Sequence, residues 1–550
     1  MGDEFSERYR DLLTGVYDCV DRIVINAYFG LGHSPGGFRT WWRLLHGNDK
    51  QLDNAHLIRM AGRFARRLRA TCKAQGIQVI DCQIGDPKYK IAKDYLASHQ
   101  VSAGLFLVLA ARALVPVWDV KINRGGNPHL VKKRAMVNNY SFHIMDAEWG
   151  HLVIKLSGHP PFPAQIILNG HDYVACQARA QGLAFEKEGN CFTNISDPVA
   201  LAQIADTLSQ PANIERLMQV AERWIYSSCL IFALDLEERD RSGFHYGFSS
   251  YQLEYSRNLQ FRSGRRMEAI FERMLDRTRS RLDLPSVRTI FGTRRRPHYN
   301  RRSGPQPRME AAVERPEYGL TRFKILFGRL QLKAYTKGER TLRLEVTVHN
   351  TEALRCGRAL DRLPQIFSRL RATLDRFALM LDCVDIGFVD DDHILDRLPD
   401  ASQLGRIRVG GIDLNRPRMR SALRATLALC LNPAGFSAAQ FAAEVRRLTG
   451  QAPAKYSLRQ AGYDIRKIRA KGLIVKRGLS RRYLVPASAA RTISALLTLR
   501  DDVIVPLLAG VGNPPSGPKP SLRTAIDSHY ETLRVGMLDL FQDLGIGAAA

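Results

Sequence analysis

Apolar residues recur along this chain at two periods, and the two alternate. The segment AHLIRMAGRFARRLRATCKAQG carries apolar positions three and four apart, with arginines opposite and Gly76 as a stop, which predicts an amphipathic helix. IQVIDCQIGD follows it as a short β-branched run, which predicts a strand. Four further strand-sized runs, GLFLVLAARAL, VPVWDVKI, YSFHIMDAEWGHLVIKLSG and PAQIILNGHDYVACQARAQG, favour a sheet with helices packed against it. The fold class expected is therefore α/β, mixed α+β in detail and multi-domain. No fixed-period repeat is visible.

Helical text returns from Asp197 to about Leu236 and from Gly264 to Leu282, where MEAIFERMLDRTRSRL reads as a core helix with a solvated charged face. Residues 318–350 contain the strands FKILFG, LQLKAYT and LRLEVTVHN, the last two joined by KGER; a simple register brings Glu345 near Lys333 or Lys337. The stretch GFHYGFSSYQLEYSRNLQF interleaves aromatics with arginines, the composition of a surface that stacks on single strands. Its alternation suits a strand that buries its tyrosines, and burial is favoured. These patterns predict an N-terminal α/β domain over 1–208, a helical region over 209–293, a basic linker over 294–317 and an α+β region over 318–420. A C-terminal winged helix-turn-helix domain over 421–510 and a Pro-rich linker with a terminal helix over 511–550 complete the expectation.

The winged helix is the segment with readable mechanics. Ser437 caps one helix that stops at Gly450, and Ser457 caps a second that places Leu458, Ala461, Ile465 and Ile468 on one face. The other face carries Arg459, Tyr463, Arg466, Lys467 and Arg469, with Lys471 just beyond. LIVKRGLSRRYLVP then reads strand, turn, strand, with Lys476, Arg477, Arg481 and Arg482 around the bend. From Arg446 to Tyr483 there are twelve Lys or Arg and one acid, a net of +11. Such a helix suits a major groove, with the hairpin's arginines on the backbone. The alternative, a winged helix for protein contacts, more often shows an acidic or apolar outer face. The apolar helix AARTISALLTLRDDVIVPLLAGV that follows suits a homodimer contact and a cap for its own domain equally well.

Composition sharpens this picture. The 550 residues hold 81 Lys plus Arg against 54 Asp plus Glu, a net charge of +27. That excess calls for an anionic partner, first of all nucleic acid, with DNA favoured over RNA. Residues 294–308, RRRPHYNRRSGPQPR, add Arg294, Arg295, Arg296, Arg301 and Arg302 without an acid, either as a phosphate-contacting arm or as a solvated linker. Nine cysteines stand singly with no CxxC pair, against a disulfide scaffold or a zinc ribbon. The acidic start MGDEFSERYRDLL predicts no export, and the most apolar window, Val101 to Val120, is broken by Arg112 and Pro116, so no membrane partner is expected. A cytoplasmic, nucleoid-associated protein follows.

Candidate chemistry is sparser. His143, Asp146 and His151 lie in a stretch that also holds His159, His171 and Asp172, residue types able to bind a divalent metal for phosphodiester cleavage. Histidines at odd spacing on strands face opposite sides, so hydrogen-bonding and turn roles are the commoner use. Glu254 joins His143, Asp146 and His151 as a candidate, and their convergence would decide the matter. Asp390, Asp391, Asp392 and His393 read as an exposed loop. Mg²⁺ or Mn²⁺ is implied only if the chain is a nuclease; no cofactor is otherwise expected. No GxxxxGK[ST], GxGxxG, HExxH or GxSxG is present, so nucleotide hydrolysis, dinucleotide binding and zincin chemistry have no support.

The phrases NNYSFHIMDAEWGHLVIKLSGHPPFPAQIILNGHDYVA, KEGNCFTNISD, LKAYTKGERTLRLEVTVHNT and YDIRKIRAKGLIVKRGLSRRYLV resemble a large family of uncharacterised bacterial proteins with a C-terminal MarR-type winged helix, along most of the chain. The resemblance implies a bacterial DNA-binding protein of a mobile-element or regulatory system and brings no catalytic residues with it. LKAYTKGERTLRLEV is also similar to a strand pair of phage and plasmid replication initiators, with Tyr335, Lys337, Arg343 and Glu345 at matching places but without their histidine-bearing metal motif. The function expected is duplex DNA binding through the winged helix. A metal-dependent nuclease, recombinase or replication initiator is the competing class, since about 430 residues outside the winged helix and tail exceed what a bare regulator needs. An RNA-binding component of a ribonucleoprotein is the third.

Overall fold

A computed structural model describes residues 4–122, 128–281, 288–291, 310–317, 320–327, 329–385, 394–505 and 524–543. Two compact units emerge, one of Asp11–Met267 with Tyr318–Leu374, the other of Met1–Arg10, Glu268–Glu317 and Asp375–Ala550.

The first unit is built on a mixed sheet. Its strands are β1 (Leu13–Phe29), β2 (Gln78–Cys82), β3 (Gly104–Ile122), β4 (Pro128–Asp146), β5 (Gly150–Ser157), β6 (Ala164–Leu168), β7 (Tyr246–Phe261), β8 (Leu320–Phe327), β9 (Leu330–Lys337) and β10 (Thr341–Val348). They run side by side in the order β8-β9-β10-β7-β1-β6-β5-β4-β3-β2. Neighbours are antiparallel except β2 and β3, which are parallel because the helix α1 (Lys88–Ser98) carries the chain back between them. The apolar window at 101–120 is thus most of strand β3.

Burial explains the sheet's centre. On β10, Leu342, Leu344, Val346 and Val348 alternate onto one face and are fully buried. The tyrosine-rich stretch is β7, with Tyr246 and Tyr255 in the core, in line with the expected burial. Because β7 sits between β1 and β10, residues 318–374 fold with the N-terminal part. Local periodicity shows that a strand exists, not which strand it pairs with.

The second unit contains helices α2 (Pro417–Leu429), α3 (Ala438–Thr449) and α4 (Leu458–Ala470), then a two-stranded hairpin of β11 (Val475–Lys476) and β12 (Tyr483–Leu484), then α5 (Ala487–Thr498). It also holds a parallel pair formed by Arg288–Phe291 and Glu310–Glu317. Among the described residues no helix is long and apolar enough to cross a membrane.

Candidate nucleic-acid interface and a buried ionic cluster

Helices α3 and α4 of the second unit start and stop where the sequence places them. Ser437 and Ser457 each accept from the backbone of the third helical residue, and Gln440 and Gln460 reach back to the capping residue, closing two capping boxes. Gly450 ends α3 in the left-handed conformation that glycine adopts without strain. Ahead of α3, Phe436 exchanges backbone hydrogen bonds of 2.9 and 2.8 Å with Tyr483 of β12. Gly435 beside it has a φ of +71°, and a Cβ there would lie 2.4 Å from the Tyr483 carbonyl oxygen.

Helix α4 is held by a charge. Asp464, 1 % exposed, accepts bonds of 3.0 Å from both Nε and Nη2 of Arg418 on α2 and one of 2.8 Å from the Tyr456 hydroxyl. Burial and the Asp464 carboxylate push that hydroxyl's pKa up. Ala461, Ile465 and Ile468 are buried beside it. Leu458, expected on that face, is exposed: it is the first helical residue, ahead of the turn that meets the core.

The expected nucleic-acid residues divide into two groups. Arg459, Tyr463 and Arg466 are exposed along one stripe of α4, with the Arg466 guanidinium and Lys467 ammonium 6.0 and 5.2 Å from the Tyr463 ring centre. Lys476 and Arg481 are exposed on the hairpin, and Arg469 is half-buried. Arg466 Nε also donates to the Gly462 carbonyl of its own helix at 3.2 Å; the others tie down backbone outside the helix. Lys467 donates to the Gly411 carbonyl at 2.9 Å and Lys471 to that of Arg397. Arg477 donates to Ala434 at 3.1 Å, and Arg482 to Ala434 at 2.8 Å and Gly435 at 2.5 Å, so these two tie the hairpin to the segment ahead of α3. Arg294, Arg295, Arg296, Arg301 and Arg302 lie outside the described residues, as do Asp390, Asp391, Asp392 and His393.

A different site fills one face of the sheet in the first unit. Opposite the apolar row of β10, Thr341, Arg343, Glu345 and Thr347 alternate onto the other face, and all four are buried. The register sets Lys333 directly across from Glu345 and Tyr335 across from Arg343. Lys333, not Lys337, is therefore the partner of Glu345; its ammonium bonds the carboxylate, and the Tyr335 hydroxyl donates to the other oxygen at 2.7 Å. On β7, Glu254 faces Thr347 and Asn258 faces Arg343. Strand β1 contributes through a bulge: its register slips between Val20 and Arg22, which aims Asp21 into the same cluster.

Asp21 gathers three partners. His171 Nδ1 lies 2.9 Å from its carboxylate, Asn190 donates at 3.1 Å, and Arg343 Nη1 stands 3.5 Å from both oxygens. Arg343 also donates to Asn258 Oδ1 at 2.6 Å and to the Asn190 carbonyl. His171 reaches Asp21 because its helix, Gly170–Ala180, starts hard against β1: a Cβ at Gly170 would come within 2.0 Å of the Val20 carbonyl oxygen.

Electrostatics follow from this packing. Burial alone would raise the carboxyl of Asp21, but the Arg343 and His171 charges outweigh it and hold it well below the usual range. Lys333 likewise overcomes burial to lower Glu345. Glu254 lacks so close a cation, so burial and the Glu345 carboxylate raise it. Burial and Glu345 push the Tyr335 phenol far up. Lys337, half-buried, is lowered to about 8 by burial and by Arg343.

Glu254, Tyr335, Lys337, Arg343 and Glu345 thus share one neighbourhood, while the histidine candidates occupy another. His143 Nδ1 and His151 Nε2 are 3.0 Å apart with their rings stacked, against Phe106. Asp146 lies three positions along the strand from His143 and accepts from Arg223, from the Trp224 indole at 2.7 Å and from the backbone of Glu148 and Trp149. Among the described residues no group of three or more His, Cys, Asp or Glu is placed to hold a metal ion. Asp21 and Asn190 were missed from the sequence; the one signal for Asp21 was a carboxylate inside the β-branched run VDRIVIN.

No protein family, curated protein or solved structure matches this chain.

Proposed function

We propose that the chain binds duplex nucleic acid, DNA before RNA, through a winged helix spanning α2 to β12. The observation that carries this reading is the outward stripe Arg459, Tyr463 and Arg466 on a capped helix whose inner face is locked by Asp464. The element order supports it: helix, the one-residue bridge at Phe436, two further helices, and a two-stranded hairpin that pairs back to Phe436. The helix supplies side chains to base edges, and Lys476 and Arg481 supply the hairpin's charges to phosphate. The net charge of +27 favours a polyanionic partner and fast association. A regulatory or mobile-element protein of a bacterial nucleoid is the setting this suits, and a homodimer through the helix after the hairpin remains part of the proposal.

The test is equilibrium binding to labelled duplex at several salt concentrations. Arg459→Ala with Arg466→Ala should lower the slope of log K against log salt by about 2. An unchanged slope overturns the reading, and tighter binding to single-stranded or looped RNA moves it to a ribonucleoprotein role.

A second reading rests on the gathering of Tyr335, Lys337, Arg343, Glu345 and Glu254 on one sheet face, four of them from the strand pair that resembles replication initiators. It is phosphodiester cleavage in which the Tyr335 oxygen attacks phosphorus and passes its proton to the Glu345 carboxylate 2.7 Å away, while the bond from phosphorus to the leaving strand's oxygen breaks and that oxygen takes a proton from water. The described residues do not fit a metal ion, so no step is assigned to Mg²⁺ or Mn²⁺. Incubation of labelled single strands and duplex, with either ion or with chelator, tests it: products formed by the parent chain and absent with Tyr335→Phe support it, and no products overturn it.

A further inference from the structure

The segment ahead of helix α2 holds a hairpin that the expected interface does not include. Ser402–Leu404 pairs antiparallel with Ile407–Val409, turning at Gly405, whose φ is +61°. Val409 is buried, while Gln403, Arg406 and Arg408 are exposed. From Ala401 to Gly411 the chain carries no acid. Among the described residues the structure gives neither the Arg406 nor the Arg408 guanidinium a hydrogen bond or an ion pair.

The hairpin is fixed against helix α4. Lys467 reaches the Gly411 carbonyl at 2.9 Å, and the Tyr463 hydroxyl lies beside Gly410, 3.6 Å from where a Cβ would sit. Lys471 bonds the Arg397 carbonyl at the segment's other end. The base is closed by a 2.7 Å bond from Ile412 N–H to the Leu398 carbonyl, and Gly411 packs so tightly that a Cβ would strike the Pro399 oxygen at 1.7 Å. Two cations, Lys467 on the helix and Lys471 just past its end, thus bond neutral carbonyls, each a charge-assisted bond. What they secure is a pair of arginines without a partner among the described residues, Arg406 and Arg408, beside the helix that carries the Arg459–Tyr463–Arg466 stripe.

We propose that the hairpin Ser402–Val409 is a second phosphate-binding element, which holds the backbone of the same DNA duplex that helix α4 enters. Duplex DNA presents about one negative charge per 1.7 Å of axis, so an element beside an inserted helix meets phosphates on the flanking strand. Guanidinium groups with free donors match that geometry. The inference rests on the winged-helix reading and extends it to a named element and partner.

The experiment uses the full chain, a labelled duplex of about 30 base pairs and a salt titration, with the folding of each variant checked by circular dichroism. Arg406→Ala with Arg408→Ala should lower the log–log slope by about 2 and weaken binding at least tenfold at low salt, and the double lysine variant should keep most of the slope. Lys467→Met, which frees the hairpin and removes one half-buried charge already bonded to a carbonyl, should weaken binding with a smaller change in slope. Should Arg459→Ala with Arg466→Ala lower the slope while the hairpin variant does not, the hairpin inference falls and the winged helix stands. Should the hairpin variant alone lower it, the hairpin is a phosphate element and the helix assignment falls. No effect from either overturns both.

Discussion

Arg343 Nη1 stands 3.5 Å from both carboxylate oxygens of Asp21, across 322 residues of sequence, and neither side chain reaches water. A pair this deep carries a heavy desolvation cost, which its geometry and additional hydrogen bonds have to offset. Removing Arg343 leaves the buried Asp21 carboxylate with only His171 and Asn190 to hold its charge. Arg343→Met should therefore cost about 3–5 kcal/mol in urea unfolding of the full chain. Combined with Asp21→Asn, the loss should be well below the sum of the two single losses, because the second change relieves the first. A cost under about 1 kcal/mol for the single variant would mean that the pair contributes nothing to the fold.

Two groups of buried titrating residues give stability a pH dependence in two windows. Burial, helped by His151 and Lys155, lowers His143 to about 3, and burial lowers His151 as well. The unfolded chain then binds protons below about pH 6.5 that the folded chain refuses, so stability is full above that pH and falls as pH drops. Asp21 and Glu345 are held below their ordinary range, so what they contribute is present above about pH 4 and is lost beneath it. His143→Phe should flatten the decline between about pH 6.5 and 4, which is at most about 1.4 kcal/mol per pH unit per histidine, and leave the acid limb in place. Equal slopes for parent and variant in that upper window would show that His143 is not a buried neutral base.

The C-terminal helices were legible because their signals are local. The caps Ser437 and Ser457, the stop at Gly450, and the spacing of Ala461, Ile465 and Ile468 each need only a turn or two of chain. Leu458 was misread by the same logic, since periodicity does not say where a helix first meets its core. The fate of the cations was hidden too: nothing local says that Lys467, Lys471, Arg477 and Arg482 end on carbonyls of residues far away in sequence. The ionic cluster was half visible. The strand pair around KGER showed Lys333, Tyr335, Arg343 and Glu345, but Asp21, His171 and Asn190 join it only through a bulge on β1, a tight helix start at Gly170 and a loop. His143 and Asp146 were grouped by nearness in sequence and parted by the strand's alternation.

Lys337 offers a chemical test of the cluster. It is half-buried, and burial with the nearby Arg343 lowers its ammonium to about 8. At that pH about half of it is neutral, against well under 1 % for a lysine with an ordinary value near 10.4. Its acylation by a limiting amine-directed ester, followed by peptide mapping, should rise with a midpoint near pH 8 and outpace the exposed Lys476. A midpoint near 10 would place Lys337 in open solvent, away from Arg343.

Asp464 separates structural from contact roles in the proposed interface. Its carboxylate joins α2 to α4 through Arg418 and Tyr456 and is itself buried, so it cannot touch a phosphate. Asp464→Ala leaves the Tyr456 hydroxyl without its acceptor and frees the half-exposed Arg418, and should cost about 1.5–3 kcal/mol of stability in that unit. Duplex binding should then weaken only as far as the folded fraction falls, recover on cooling to 10 °C or so, and keep its salt slope, since no phosphate contact is removed. A variant as stable as the parent but with a steeper slope would show instead that Arg418, once released, adds to the charge presented to DNA, and the division drawn between locking and contacting residues would fail at that position.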